Sequence, residues 1–213
     1  MNFLFFDTET TGLPLRSEVL SHPSQPHITQ LGAILEINRN DAMVIDTLIK
    51  PDGWQISPKA QALTGITLEM CEEAGIPIAD AVDLFMMMAS NADFIVAHNI
   101  EFDQKLMAIE YARLNQELHP TTVMCGRPTL CTMKVSTPIL KLPKKDGRVG
   151  YKWPKLEELY MFLTKKKLEN AHSAIVDITA TRECFNILVN EGHFDAEFEA
   201  FEEVQKARRL GND

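Results

Sequence analysis

Acidic residues that could bind a divalent metal ion recur in three short segments of this 213-residue chain. The first segment, at residues 6–13, reads Phe-Asp-Thr-Glu-Thr-Thr-Gly-Leu and ends an apolar run. Asp7 and Glu9 lie two residues apart, so on a strand their side chains emerge on the same face. Two such carboxylates repel each other, and a hard cation such as Mg²⁺ or Mn²⁺ relieves that repulsion. Taken alone, Asp-x-Glu fits an exposed strand end with ordinary acids better.

The second segment, at residues 98–103, reads His-Asn-Ile-Glu-Phe-Asp and follows another apolar run. Asp103 lies at the start of a predicted helix, where an acid is favourable simply because of the helix dipole. If Asp103 is functional, its carboxylate lies in one crevice with Asp7 and Glu9 and holds a metal ion through a bound water. His98 and Asn99 either end the strand or position a phosphate group. Phe102 is either a core residue or a platform that contacts a base.

The third segment, at residues 172–177, reads His-Ser-Ala-Ile-Val-Asp. We expect Asp177 in the first or second turn of a helix that starts near Ala174 and packs over the sheet. His172 precedes this helix on a less constrained stretch. A histidine titrates close to neutral pH, so it can take a proton from water and release it again. A lone histidine is usually a polar surface residue, but the acid five positions later favours a catalytic role.

Composition indicates an ordinary globular protein. Apolar residues make up 45% of the chain and charged residues 24%. The four cysteines form no Cys-x-x-Cys pair, which argues against a zinc ribbon and for reduced thiols. The apolar start lacks a basic leader, and no run approaches the ~18 apolar residues of a membrane helix. We therefore expect a soluble, cytoplasmic protein.

Charge is distributed unevenly along the chain. The formal net charge of −9 opposes a polyanionic partner at first sight. Residues 141–155, however, contain six basic residues and one acid, and residues 165–167 are three consecutive lysines. A solvated surface is the simplest interpretation of either cluster, so charge alone decides nothing.

Hydrophobic patterning predicts one α/β domain with a mixed sheet over residues 1–213, with a core over about 1–192 and a C-terminal helix and loose tail over 193–213. The predicted strands cover residues 2–7, 28–37, 43–49, 93–97 and a short stretch near 129–132. Two short helices are predicted after caps at Ser57 and Thr67. Further helices are predicted over residues 77–89, 102–114, 155–163, 174–189 and 194–209. Residues 119–154 are otherwise predicted to be irregular, and residues 210–213 to be loose.

Together, the three segments resemble the motifs of the DnaQ-like 3′–5′ exonucleases, in the histidine-bearing (DEDDh) branch of the DEDD superfamily. That family carries Asp-x-Glu, then His-Asn-x-x-Phe-Asp, then His-x-Ala-x-x-Asp, and all three are intact here and in order. Residues 60–67 and 155–159 also resemble family segments. The resemblance covers roughly residues 1–190.

The resemblance implies an RNase H-like fold, in which three antiparallel strands and then parallel strands form a five-stranded sheet flanked by helices. It also implies two divalent cations, Mg²⁺ with Mn²⁺ able to substitute. By analogy Asp7, Glu9 and Asp177 bind the first ion, Asp7 also binds the second, and Asp103 helps through water. His172 would deprotonate the attacking water, and the products would be nucleoside 5′-monophosphates.

The substrate implied by the resemblance is the 3′ end of single-stranded DNA or RNA. Leu13 is a candidate wedge between bases, although a loop leucine without that role fits almost as well. The positions expected to contact the strand are Thr8, Thr11, Gly12, Leu13, His98, Asn99 and Phe102. The basic residues 141–155 are expected to guide the strand through salt-sensitive phosphate contacts.

Several alternatives remain open at the level of the sequence. Cys131 stands where relatives often have aspartate, but this position lies outside the expected metal cluster. A proofreading subunit of a DNA polymerase and a ribonuclease that trims RNA 3′ ends both fit the motifs, although no segment indicates a polymerase partner. A non-catalytic nucleic-acid-binding module is a further alternative, and it is disfavoured because no carboxylate or histidine of the motifs is lost.

Overall fold

Five strands form one mixed sheet in the computed structural model, which describes residues 1–115, 122–145 and 147–210. The strands are β1 (Phe3–Thr10), β2 (Ile28–Ile37), β3 (Asn40–Leu48), β4 (Phe94–Ala97) and β5 (Thr129–Cys131). Their order across the sheet is β3-β2-β1-β4-β5. The first three strands pair antiparallel, and β4 and β5 run parallel to β1. This is the mixed sheet predicted from the sequence.

Eight helices are formed by the described residues. They are α1 (Pro58–Thr64), α2 (Leu68–Ala74), α3 (Ile78–Asn91), α4 (Ile100–Asn115), α5 (Thr132–Leu140), α6 (Leu156–Thr164), α7 (Ala174–Asn190) and α8 (Asp195–Leu210). Ser57 and Thr67 cap α1 and α2 as predicted, because each side chain accepts a hydrogen bond from a backbone N–H group of the first turn. None of these helices is both long enough and apolar enough to cross a membrane.

Several predicted elements differ from those in the structure. Helix α5 lies in the stretch that was predicted to be irregular. Pro138 lies inside this helix, and a proline normally breaks a helix. Its buried residues nevertheless follow helical spacing, with Thr132 and Ser136 four positions apart. Strand β1 continues to Thr10 rather than ending at residue 7. Leu210 is the last residue of α8 rather than part of a loose tail, and residues 211–213 lie outside the described residues.

The sheet separates two hydrophobic cores, and β1 contributes to both. Leu4 and Phe6 point to the side covered by α3 and α4, where Phe85 and Leu106 are fully buried. Phe5 points to the opposite side and packs with α7. Because side chains alternate along a strand, Asp7 and Glu9 share the face of Phe5 and point toward α7.

Helix α7 approaches the sheet closely at one glycine. Gly32 of β2 pairs with Asp7 of β1. A Cβ atom at Gly32 would lie 2.5 Å from Cδ1 of Ile178 and 2.9 Å from Cβ of Ala174. The first turn of α7 therefore packs on bare backbone, beside the strand position that carries Asp7. The backbone N–H of Ala174 also donates to Oε1 of Gln30 at 3.3 Å, which fixes the start of α7.

Two charged residues of α4 hold the chain at the start of β2. Glu110 is 2% exposed, and its Oε1 accepts a hydrogen bond from the backbone N–H of Ile28 at 3.0 Å. Arg113 lies 2.9 Å from the other oxygen of Glu110 and also donates to Nδ1 of His27. His27 in turn exchanges two hydrogen bonds of 2.9 Å with Thr11. This network fixes the position at which the chain leaves β1.

We predict that Gly32→Ala destabilises the protein, because the added methyl group must displace α7 or distort β2. Overpacking of this kind costs about 1–3 kcal/mol, which should appear as a lower urea midpoint in an unfolding titration. Gly12→Ala is the matched control, since nothing lies within 4 Å of a Cβ atom at that glycine. Equal stability of the two variants would show that α7 does not depend on the bare backbone at Gly32.

Candidate active site

Four carboxylates from three elements line one cavity at the end of β1. Asp7 and Glu9 come from β1, Asp103 from the first turn of α4, and Asp177 from the first turn of α7. The cavity has a volume of about 480 Å³ and is also lined by His172. The fold therefore brings together all five residues that the sequence predicted to be catalytic.

Burial and mutual repulsion keep these acids from ionising easily. Burial raises the pKa of Asp7 well above its ordinary value, and Asp103, Asp177 and Glu9 add repulsion. Burial also raises the pKa of Glu9 to about 7, with Asp177 and Asp103 adding to the effect. The pKa of Asp103 rises to about 7 for the same reason, although hydrogen bonds from Thr8 oppose the rise. The pKa of Asp177 rises to about 6, again mainly through burial.

An unsatisfied oxygen supports a cation in this cavity. Oδ2 of Asp177 accepts the backbone N–H of His172 at 3.2 Å, but Oδ1 is buried without a hydrogen-bond partner. Glu9, His172 and Asp177 each offer one ligand atom, and these atoms lie within 4.8 Å of one another. Carboxylate oxygens dominate the donor set, which favours a hard cation such as Mg²⁺ or Mn²⁺. The residues present therefore fit a divalent cation.

The group of potential ligands differs from the expected set in one member. His172 was predicted to act as a base, yet one of its ring nitrogens lies within 4.8 Å of a carboxylate oxygen of Glu9 and one of Asp177. Asp7 was predicted to share the first ion, but it does not belong to this group of three in the described structure. Asp7 remains close enough to be coupled electrostatically to the other three acids.

Asp103 is held by the strand that carries the first two acids. Its Oδ1 accepts hydrogen bonds from the backbone N–H of Thr8 at 3.1 Å and from the Thr8 hydroxyl at 2.8 Å. Thr8 was predicted to contact the substrate. It lines the cavity, but its buried hydroxyl serves mainly to fix Asp103.

His172 sits at the edge of the cavity in a strained backbone conformation. Its φ angle of 69° lies in the left-handed region, which is uncommon for residues other than glycine. The side chain is 38% exposed, and its Nε2 lies 3.8 Å from Oε1 of Glu157 on α6. Glu157 was not predicted from the sequence. The available signal was an acid in the first turn of the helix before the third motif.

His98 and Asn99 have structural partners of their own. Nε2 of His98 lies 3.0 Å from the Pro154 carbonyl, and Nδ1 lies 3.0 Å from the Thr132 hydroxyl. Burial lowers the pKa of His98 to about 4, although the bond to Pro154 opposes this. A neutral ring that donates through Nε2 satisfies both contacts, which favours a strand-end role over a phosphate contact. Asn99 has a φ of 65° and does not line the cavity. Its carbonyl accepts the N–H of Phe102 at 2.9 Å, at the start of α4.

Apolar side chains also line the cavity and form an apolar rim. Leu13 is 75% exposed and Leu63 of α1 is 56% exposed, and both line the cavity together with the half-buried Phe102. Thr11 and Gly12 also line it, as predicted. The contribution of α1 to the cavity was not predicted from the sequence. The residues of this segment that line the cavity are the N-cap Ser57 and, within α1, Lys59, Ala60, Leu63 and Thr64. The available signal was the resemblance of residues 60–67 to a family segment.

Comparison with known families decides the classification. A family model described as exonuclease, RNase T, matches residues 4–185. This chain belongs to that exonuclease family. The match confirms the resemblance drawn from the three motifs and the prediction of a nuclease.

Solved structures agree on the fold. E. coli exonuclease I in complex with a dT13 oligonucleotide is 21% identical, with a TM-score of 0.69, over 93% of this chain and 43% of that chain. The zinc-bound form of the E. coli exonuclease I complex with single-stranded DNA is 23% identical, with a TM-score of 0.68 over the same shares. This chain thus spans less than half the length of those proteins. The likeness confirms the predicted RNase H-like class. Among curated proteins, none matches this chain.

We predict that metal-free protein loses stability as the pH rises from about 4 to about 7. In this range the folded state retains protons on Glu9, Asp103 and Asp177 that the unfolded chain has released. Asp177→Asn cannot ionise, so above pH 7 this variant should be more stable than the unsubstituted protein. The gain is at most about 3 kcal/mol.

Urea unfolding in EDTA between pH 4 and pH 8 measures this effect. Asp52→Asn is the control, because Asp52 is exposed and does not line the cavity. Added Mg²⁺ should stabilise the unsubstituted protein more than Asp177→Asn, because a cation offsets the repulsion. An Asp177→Asn protein that is less stable at pH 8 in EDTA would contradict the electrostatic account.

Proposed function

We propose that this protein is a 3′–5′ exonuclease that shortens single-stranded DNA one nucleotide at a time and releases nucleoside 5′-monophosphates. The observation that carries the proposal is the convergence of four carboxylates beside His172 in an open cavity, of which Glu9 and Asp103 are buried and Asp7 and Asp177 half-buried. Such a group of acids is costly unless cations neutralise it, and phosphodiester hydrolysis is chemistry that paired cations support. We propose Mg²⁺, with two ions bound, as the cofactor.

The carboxylates would hold the cations, and the histidine would move the proton. Asp7, Glu9 and Asp177 are the proposed ligands, with Asp103 assisting through water. When bound, the ions would supply Lewis-acid activation of water and neutralise charge on the phosphate. His172 would accept a proton from the attacking water at Nε2, while the water oxygen bonds to phosphorus and the bond from phosphorus to the 3′ oxygen breaks. The 3′ oxygen then takes a proton from solvent and becomes the new 3′ hydroxyl of the shortened strand.

Glu157 is placed to orient His172 during this step. Its Oε1 is 3.8 Å from Nε2, the proposed proton acceptor, so it favours a ring that faces α6 between turnovers. A protonated ring would be attracted to this carboxylate. We therefore propose Glu157 as a positioning residue rather than a residue that contacts the reacting atoms.

The apolar rim supports a nucleotide as the ligand. A terminal base could lie against Leu13, Leu63 and Phe102 while its phosphate faces the acidic side of the cavity. Such apolar contacts do not distinguish bases, because every base has an apolar face. The hydroxyl of Thr10 donates to the Gly12 carbonyl at 2.7 Å, which fixes the turn that presents Leu13.

DNA is proposed as the substrate because exonuclease I structures hold dT13 and dA16 oligonucleotides. An RNA substrate and an association with a polymerase remain alternatives within the same chemistry. A single domain over residues 1–213 and a cytoplasmic location also stay predictions.

The first experiment compares 5′-labelled single-stranded DNA and RNA of the same sequence, with Mg²⁺, Mn²⁺ or EDTA. We expect a metal-dependent ladder that shortens from the 3′ end, with faster shortening of DNA. Asp7→Asn should reduce the rate at least about 100-fold, since charge stabilisation of several kcal/mol is lost. Asp83→Asn, an exposed acid on α3, is the control. The proposal fails if neither strand is shortened, and faster shortening of RNA would overturn the choice of DNA.

His172→Ala should lower kcat by about 10²- to 10⁴-fold, as expected for loss of a general base. The shift of the thermal midpoint on adding Mn²⁺ should stay close to that of the unsubstituted protein. Glu157→Gln should cause a smaller loss of kcat and move the pH profile, because it removes only the charge beside the ring. If His172→Ala also abolishes the Mn²⁺-induced shift, His172 is a ligand of the site rather than its base.

A further inference from the structure

A hairpin of basic and aromatic residues stands between α5 and α6. Its two arms are joined by an antiparallel bridge between Pro143 and Tyr151, and the N–H of Lys152 donates to the Leu142 carbonyl at 2.9 Å. Nζ of Lys144 donates to a carbonyl near the tip at 3.1 Å. We call residues 141–145 and 147–153 the basic hairpin. These bonds give the loop a defined shape rather than leaving it as an extended connection.

The surface of the basic hairpin is rich in positive charge, although the chain as a whole is negative. A cavity of about 500 Å³ is lined by Lys144, Lys145, Arg148, Tyr151, Lys152 and Trp153. This group carries four cations on a protein whose formal net charge is −9, and one of them, Lys152, is paired with Glu158. Acidic side chains are absent from this lining among the described residues. The cavity therefore favours a negatively charged ligand.

Aromatic exposure supplies a second, independent observation. Trp153 is 61% exposed and Tyr151 is 43% exposed, whereas the other tryptophan, Trp54, is 9% exposed. Large aromatic rings are normally buried because burial removes much apolar surface from water. Exposed rings among cations are the combination that binds single-stranded nucleic acid, through stacking on bases and contacts to phosphates.

The basic hairpin is joined directly to the candidate active site. The carbonyl of Pro154, the residue after the hairpin, accepts a hydrogen bond from His98, and His98 lines the site cavity. Glu157, which faces His172, follows Trp153 by four residues. Four residues span at most ~14 Å, so only a few nucleotides of a single strand separate the hairpin from the site. The hairpin thus lies within reach of a strand whose 3′ end is in the site.

We propose that the basic hairpin binds the strand on the 5′ side of its last two nucleotides. Trp153 and Tyr151 stack on bases, and the surrounding cations contact phosphates. The inference rests on the proposed exonuclease function, and it adds a subsite that makes affinity depend on the length of the strand. It assigns a positive contact surface to a chain whose overall charge repels nucleic acid.

The test compares a 20-nucleotide DNA strand with a dinucleotide that is too short to reach the basic hairpin. Trp153→Ala should raise KM for the 20-nucleotide strand by roughly 5- to 100-fold, the range expected for loss of one stacked base. Hydrolysis of the dinucleotide should be unchanged. Trp153→Phe, which keeps a ring for stacking, should restore most of the affinity.

Salt dependence tests the cations separately. The double variant Lys145→Gln and Arg148→Gln should lower the slope of log affinity against log salt concentration by about 1.4, because each phosphate contact to a single strand contributes ~0.7. The matched control is Lys206→Gln and Arg209→Gln, which removes two positive charges from α8. That helix packs on Phe94, at the opposite end of β4 from His98. The control should keep the original slope.

The two proposals fail in different ways. Unchanged KM in Trp153→Ala, together with an unchanged salt slope in the hairpin double variant, would overturn the subsite while hydrolysis continues. If the unsubstituted protein hydrolyses neither substrate, the proposed function fails instead. Fluorescence anisotropy with the labelled 20-nucleotide strand in EDTA then still tests the basic hairpin, because that measurement needs no turnover. Weaker binding by Trp153→Ala supports the subsite, and equal binding overturns it.

Discussion

Repulsion among the four clustered carboxylates is the constraint on which the rest of this structure depends. Asp7, Glu9, Asp103 and Asp177 are largely withdrawn from water, and each has a raised pKa. An arrangement of this kind lowers the stability of the metal-free fold at neutral pH. The hydrophobic cores on both faces of the sheet must therefore supply the stability that the site removes. Raised pKa values gathered in one cavity are typical of a functional site.

The acids are held by contacts that extend well beyond the cavity. Two of them follow from strand alternation, since Asp7 and Glu9 continue the face begun by Phe5. Asp177 reaches the same place because Gly32 allows α7 to pack on bare backbone. Asp103 comes from the helix on the other side of the sheet, and Thr8 holds it at the end of β1. Each carboxylate thus depends on a different part of the fold, so the site forms only when both faces of the sheet are packed.

Much of the architecture could be predicted from local patterns. The five strands and most helices follow hydrophobic periodicity and capping residues such as Ser57 and Thr67. Helix α5 escaped prediction because Pro138 normally ends a helix, whereas tertiary packing of Met133 and Ser136 sustains this one. The site residues missed by the sequence analysis, Leu63 and Glu157, lie outside the three motifs. Leu63 lines the cavity through the packing of α1, and Glu157 of α6 lies beside His172 at its edge.

The sequence by itself determined the identities and order of the acids and of His172, and the family to which they point. It also determined the face on which Asp7 and Glu9 emerge, because side-chain alternation is a local property of a strand. Tertiary structure decided which oxygen of Asp177 lacks a partner and that both nitrogens of His98 are bonded. It also decided that aromatic rings stand exposed in the basic hairpin. These features depend on burial and on contacts between residues distant in sequence, which no local pattern encodes.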